Sequence, residues 1–338
     1  MTAPYPAIRA RLLPGLALAL AVGLAGEAAH RAQAHLLGRA PLDALVVAII
    51  LGMALRSAVR LPVTTNDGIA FAAKTLLEVA IVLLGASVDF REVARGGPVL
   101  VLGIAATVGV TLAVGSWIGR RAGLEPKHAL LVAFGNAICG NSAIAALAPV
   151  IGARREHVAS AIAFTAVLGV AVVVALPFLV PLAHLSHYQY GVVAGLTVYA
   201  VPQVLAAAFP VSALSGQVGT LVKLVRVLFL GPVLVVVSLM EHRTGEARRA
   251  GLRTMLPWFV LGFVAFALLR TFGALTPGLA APLRTASHWL TLVAMAGLGL
   301  GVDLHTLRGV GRPVVVTVLA SLAVLLAMSL GVAALVGG

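Results

Sequence analysis

The chain has 338 residues, 61% of them hydrophobic and 10% charged, with a formal net charge of +13 and a mean hydropathy of +1.07. So few polar residues cannot cover the surface of a soluble domain, which is nearer ~25% charged. The apolar runs are also continuous, which excludes a β-barrel of short alternating strands. The fold class is therefore all-α and polytopic, and the positive charge, held mostly in short loops between apolar runs, reads as positive-inside topology rather than as a nucleic-acid surface.

Runs long enough to cross ~30 Å of hydrocarbon recur from end to end and predict about eleven spans. They cover roughly 12–28, 42–58, 68–88, 98–118, 128–150, 157–182, 189–208, 218–240, 254–272, 285–302 and 313–336. The first, short and flanked by Arg11, reads as a retained helix, with a cleaved signal peptide as the alternative. A cytoplasmic N-terminus places Arg120, Arg121, Lys127 and the cluster Arg243, Arg248, Arg249 and Arg253 inside. In the third span Lys74 and Glu78 stand four apart, a helical ion-pair spacing. Ionisable residues within spans are costly and mark pathways.

The stretch LLGASVDFREVARGGP (83–98) aligns with GLGLGVDLHTLRGVGRP (297–313). Leu84, Gly85, Val88, Asp89 and Gly97 recur 214 residues later as Leu298, Gly299, Val302, Asp303 and Gly311. The copies are an odd number of spans apart, so they face opposite ways, as in the inverted repeats of secondary transporters. The predicted repeat elements are about 68–118 and 285–336, within a single domain covering 1–338. The alternative is similar helix-end chemistry without common descent.

The fifth predicted span (128–150) contains FGNAICGNSAIAALAP, Phe134 to Pro149, with the pairs Gly135-Asn136 and Gly140-Asn141. Gly costs about 1 kcal/mol against Ala inside a helix, and Asn is also unfavourable there. These pairs predict a break, with Asn141 or Ser142 as the cap of the second half and backbone N–H groups directed at an anion. Small-residue packing, the alternative, accounts for Ala143, Ala145 and Ala146 but poorly for two asparagines. A second candidate break lies at 189–208, where Pro202 removes a backbone donor and Gln203 adds a polar group. In the eighth span Lys223 and Arg226 share a face, either lining the pathway or snorkelling to an interface. The broken segment holds no carboxylate, which favours an anionic or polar substrate over a Na⁺ or H⁺ exchange site. As fifth and seventh spans the two breaks would run the same way, which inverted repeats forbid. Either a span is miscounted between 150 and 220, or one candidate is not a crossover helix.

No enzyme constellation is present. The nine histidines are scattered without an H-E-x-x-H, Ser142 and Cys139 have no base beside them in sequence, and there is no nucleotide-binding G-x-x-x-x-G-K-[ST]. One cysteine excludes an internal disulfide. Neither a metal nor a cofactor is expected.

The segments 68–90, 134–153, 197–207 (TVYAVPQVLAA), 220–239 (TLVKLVRVLFLGPVLVVVSL) and 297–304 (GLGLGVDL) resemble the bacterial YeiH-type sulfate exporter family. Lys74, Cys139, Gly140, Ser142, Gln203, Lys223 and Arg226 fall on its recurring pattern. The chain departs from many members at Glu78, where they carry a basic residue, and at Tyr199-Ala200, where they carry His and an acid. The resemblance implies an inner-membrane secondary transporter of the cation–proton antiporter and anion transporter superfamily, with paired broken helices. The expected activity is alternating-access export of a small anion, with sulfate, a related sulfur oxyanion or an organosulfonate as the class. A channel or receptor-like binding protein, or a carrier of another polar solute coupled to a cation or proton, is the alternative. The candidate substrate-binding residues are Asn136, Cys139, Gly140, Asn141, Ser142, Gln203, Lys223 and Arg226, with Lys74 and Glu78 as pathway charges. The expected partners are the anion, the bilayer and a coupling ion, H⁺ or Na⁺, with a homodimer as the candidate assembly.

Overall fold

A computed structural model describes residues 5–37, 42–88, 97–242, 258–305 and 310–336. Asp89 of the repeated motif and the cluster Arg243, Arg248, Arg249 and Arg253 lie outside the described residues. The described chain is all-helical. In order it forms α1 (Tyr5–Leu37), α2 (Ala44–Ala58), α3 (Asn66–Phe71), α4 (Leu77–Leu84), α5 (Gly97–Arg121), α6 (Pro126–Ala137), α7 (Asn141–Leu147) and α8 (Arg155–Ala175). It continues with α9 (His187–Thr197), α10 (Val201–Ala208), α11 (Ala213–Leu228), α12 (Leu230–His242), α13 (Trp258–Thr271), α14 (Pro277–Leu300) and α15 (Arg312–Val336).

Six helical stretches are long and apolar enough to cross a membrane by length and composition: Arg11–Leu36, Val63–Ser87, Gly97–Arg121, Arg155–Leu182, Ala213–Met240 and Arg312–Val336. The other predicted spans fall on the shorter apolar helices Ala44–Ala58 and Trp258–Thr271, on α14, and on two segments interrupted at mid-length.

The chain divides into two compact units, Met1–Phe90 with Phe259–His305, and Arg91–Trp258 with Thr306–Gly338. In the first unit, Asp43 starts α2 by accepting the Leu45 N–H at 2.9 Å, and Ala44 to Ile49 are buried. Ser287 of α14 donates to the Ala80 carbonyl of α4 at 2.7 Å, fastening two apolar helices through one satisfied polar group. Between α3 and α4 a π-helical turn, Ala72–Leu76, carries Lys74. Beyond α14, Asp303 accepts from the backbone N–H of His305 at 2.9 Å and from its ring at 3.0 Å. The backbone donor is the main cause that holds this carboxyl below its usual range.

The second unit is built around two helical hairpins. The first is α6, a tight turn, and α7. Helix α6 ends at Ala137, the Gly140 N–H closes on the Gly135 carbonyl at 2.8 Å, and α7 folds back so that Ile144 covers Gly135. Its two ends return to one mouth, where Glu125, before α6, pairs with Arg154, after α7, and the His128 ring stacks on His157 at the start of α8. The second hairpin is α9, a turn, and α10. Tyr190 near its start donates to the Ala207 carbonyl near its end at 2.8 Å, and Ser215 at the start of α11 donates to the His187 carbonyl at 2.8 Å.

Helix α8, continued by a 3-10 turn and a short helical turn to Leu182, measures the distance between the hairpins. At 1.5 Å per residue it leaves the first mouth at His157, then passes Thr165, which donates to Asn141 at the first tip at 2.8 Å. Next it passes Gly169, against which Gln203 of the second hairpin packs, and it reaches Leu182 just before the second mouth. The hairpins therefore enter from opposite ends of the unit and their tips meet beside the middle third of Arg155–Leu182. This differs from the sequence expectation of two spans. Each candidate segment starts and finishes at the same end, so the chain reverses once more than a span count allows. The two breaks consequently run in opposite directions.

Candidate functional site

The hairpin tips meet on α11. Gly195 lets that contact form, because a Cβ there would lie 2.5 Å from the Gly219 carbonyl oxygen. Lys223 and Arg226, one turn apart on α11, are fully buried. Lys223 Nζ donates to the carbonyls of Ile138 at 2.6 Å and Val198 at 2.8 Å, one from each tip. Arg226 Nε donates to the Ala137 carbonyl at 2.7 Å, and its terminal nitrogens donate to the carbonyls of Leu196 and Asn136. These acceptors are the free carbonyls that every helix leaves at its C-terminus, here on α6 and α9.

The two converging C-termini bring roughly one negative charge between them, against two side-chain cations. Among the described residues no Asp or Glu is buried. The junction is therefore net positive in a setting where an uncompensated charge is costly. Two polar atoms beside it are buried without a hydrogen-bond partner, the Tyr199 hydroxyl and Asn136 Oδ1. Asn136 Nδ2 donates to Ser321 and to the Val318 carbonyl of α15, and Thr197 of the opposite hairpin meets Ser329 on the same helix at 2.9 Å.

The turn of the first hairpin depends on Gly140, which sits at φ +66° where a side chain is strained. A Cβ there would also press on Tyr199 Cβ at 3.2 Å. Gly140 itself is the residue before α7, rather than Asn141 or Ser142, and no side chain caps the helix. Asn141 and Ser142 are exposed, the former accepting from Thr165. The Gln203 carboxamide oxygen accepts the Ala200 N–H at 3.2 Å and closes the second tip.

Of the residues singled out from the sequence, Asn136, Cys139, Gly140, Lys223 and Arg226 gather at the junction, with Cys139 within electrostatic reach of both cations. Asn141, Ser142 and Gln203 lie at the beginnings of the returning helices. Lys74 and Glu78 belong to the other unit. Tyr199, noted in the sequence only as a departure from the family pattern, joins the junction, and Thr165, Thr197, Ser321 and Ser329 are the neighbours that the sequence did not single out. Single hydroxyls in apolar helices carry no spacing signal, and only the tertiary contact reveals them.

The family described as Conserved hypothetical protein 698 matches residues 14–318. A UPF0324 membrane protein of Brucella melitensis is 50% identical over 326 residues, covering 96% of this chain and 91% of the relative. One from Agrobacterium fabrum is 49% identical over 320 residues, covering 95% and 92%. A more distant one from Bacillus cereus is 34% identical over 269 residues, covering 79% of each. Those names and the apolar helices agree on a multi-pass membrane protein. With this similarity along nearly its whole length, the chain belongs to the UPF0324 membrane protein family, Conserved hypothetical protein 698.

Proposed function

We propose that this protein is a secondary transporter, not an enzyme, and moves a small anion by alternating access. The observation that carries the reading is the pair of buried cations, Lys223 and Arg226, on the carbonyl ends of two opposed hairpins, with no buried acid beside them among the described residues. Two opposed hairpins, each followed by a long helix (α6–α7 with α8, α9–α10 with α11), make an inverted repeat, the symmetry that lets one site open to either side. Non-helical backbone at membrane depth is tolerated where protein buries it or water lines it. Asn141 and Ser142, exposed at the level of the tips, supply polar groups for such a water-lined path. The substrate would meet the junction from this side, with Lys223 offering one of its three N–H bonds and Arg226 two of its five beyond those already paired.

The resemblance to YeiH-type exporters makes sulfate, related sulfur oxyanions and organosulfonates the first substrates to test, and a bacterial inner membrane with a cytoplasmic N-terminus the setting. Purified protein should gain thermal stability with one of these anions, about 2.7 kcal/mol at 100-fold its Kd. In proteoliposomes the same anion should show saturable, trans-stimulated counterflow, and Arg226→Ala should abolish it. Uptake that neither saturates nor accelerates on exchange would identify a channel instead and overturn the carrier reading.

A further inference from the structure

The first unit holds a polar cavity of its own, at the end of α2. That apolar helix stops at Ala58, and the apolar stretch Val63–Ser87 begins five residues later. Residues 59–62 therefore join two apolar segments where both end, which is the level of the headgroups in a bilayer. The segment after α14 is tied to the same place, because the Leu304 N–H donates to Ser57 Oγ at 3.1 Å. Between them lies a cavity of about 580 Å³ whose wall carries Arg56, Arg60, Asp303 and His305.

The wall sets two guanidiniums against one carboxylate, and that carboxylate already accepts from the backbone and ring of His305. Among the described residues neither Arg56 nor Arg60 has a carboxylate within ion-pair distance. The helix ends beside them do not use up their donors, since the N–H groups of Val59 and Gly301 close on the carbonyls of Leu55 and Gly297. A guanidinium is a planar fork of donors that matches phosphate oxygens two at a time. Next to the cavity in the chain, Val59 is 50% and Val63 82% exposed. A free anion would satisfy the arginines and leave those side chains bare, whereas a phospholipid satisfies the arginines and covers the valines with its chains. Positive-inside topology requires the two charges alone. It does not require them to share a cavity with a second segment tied to Ser57.

We propose that this cavity binds the phosphate headgroup of an anionic phospholipid, gripped by Arg56 and Arg60, with the acyl chains lying along Val59 and Val63. The site belongs to the first unit and stands whether or not the protein carries an anion.

Native mass spectrometry of the full chain in detergent tests it, with palmitoyl-oleoyl phosphatidylglycerol and palmitoyl-oleoyl phosphatidylcholine supplied in equal amounts. The two lipids share their chains and differ in headgroup charge, so the ratio in which they are retained reads the site. The wild type should prefer phosphatidylglycerol. Arg56→Gln and Arg60→Gln should each lower that preference about fivefold, the weight of one basic residue facing an anionic lipid surface. Asp303→Asn, which removes a repelling charge, should raise it. Arg284→Gln, which removes an exposed arginine in the opposite half of α14, should leave it unchanged. Inorganic phosphate in molar excess should not displace the lipid, because it has no chains to set against the valines. No preference in the wild type, a preference that survives both Arg56→Gln and Arg60→Gln, an equal fall in Arg284→Gln, no rise in Asp303→Asn, or displacement by phosphate would each overturn the proposal. Arg60 is exposed, so Arg60→Gln decides the matter if Arg56→Gln does not fold.

Discussion

Lys223 and Arg226 are placed where membrane-buried cations are least costly, on the negative ends of two helices. Removing either leaves buried carbonyls bare, at about 1–3 kcal/mol for each one. Lys223→Met should therefore lower the unfolding temperature in detergent substantially, even though methionine is more apolar. Arg226→Lys should behave as a loss and not as a conservative change, since one ammonium cannot reach the three carbonyls that the planar guanidinium bridges. If Arg226→Lys retained wild-type stability and anion counterflow, the fork geometry would not be what holds the tips. Tyr199→Phe removes only the unpartnered hydroxyl, so stability should hold or rise slightly. Any loss of anion affinity in that variant would then place the hydroxyl against the substrate.

The hairpins are the elements on which the site depends, and each is limited by one glycine. Gly140→Ala forces a side chain into the left-handed region and against Tyr199, so about 1–2 kcal/mol of destabilisation is expected. Gly123 supplies the internal control, since it has φ +95° with nothing near a built Cβ, and Gly123→Ala should cost only the backbone strain. Gly195→Ala should be worse than either, because the obstacle is the Gly219 backbone, which cannot rotate away as a side chain can. Thermal unfolding should rank Gly123→Ala as the mildest, Gly140→Ala next and Gly195→Ala as the most destabilised. A tolerated Gly195→Ala would mean that α9 and α11 do not need so close an approach.

For the whole molecule, two hairpins predict a topology that a span count does not. Single cysteines on a Cys139→Ser background, probed with a membrane-impermeant thiol reagent in sided vesicles, separate the two. Positions 124 and 153, which flank the first hairpin, should label from the same side, and positions 186 and 212, which flank the second, from the other. Opposite labelling of 124 and 153 would show that the first segment crosses the membrane. Much of the architecture was legible beforehand. Continuous apolar runs announced a helical membrane protein, and two Gly-Asn pairs and Pro202 marked the two places where helices stop. Hydropathy has no term for direction, however. A segment that enters and turns back has the same composition as one that crosses, so the returns at Asn141 and Val201 could not be read.

By itself the sequence determined the class, the positions of the breaks and the residues available at them, because helix formation, backbone satisfaction and the cost of buried charge are local properties. The tertiary structure decided the rest. It turned two apparent spans into opposed hairpins and set Lys223 and Arg226 on carbonyls drawn from both. It also brought His128 and His157, separated by a whole hairpin in the chain, into one stack at the mouth. These outcomes depend on which helix ends meet, and only packing between segments distant in sequence selects that.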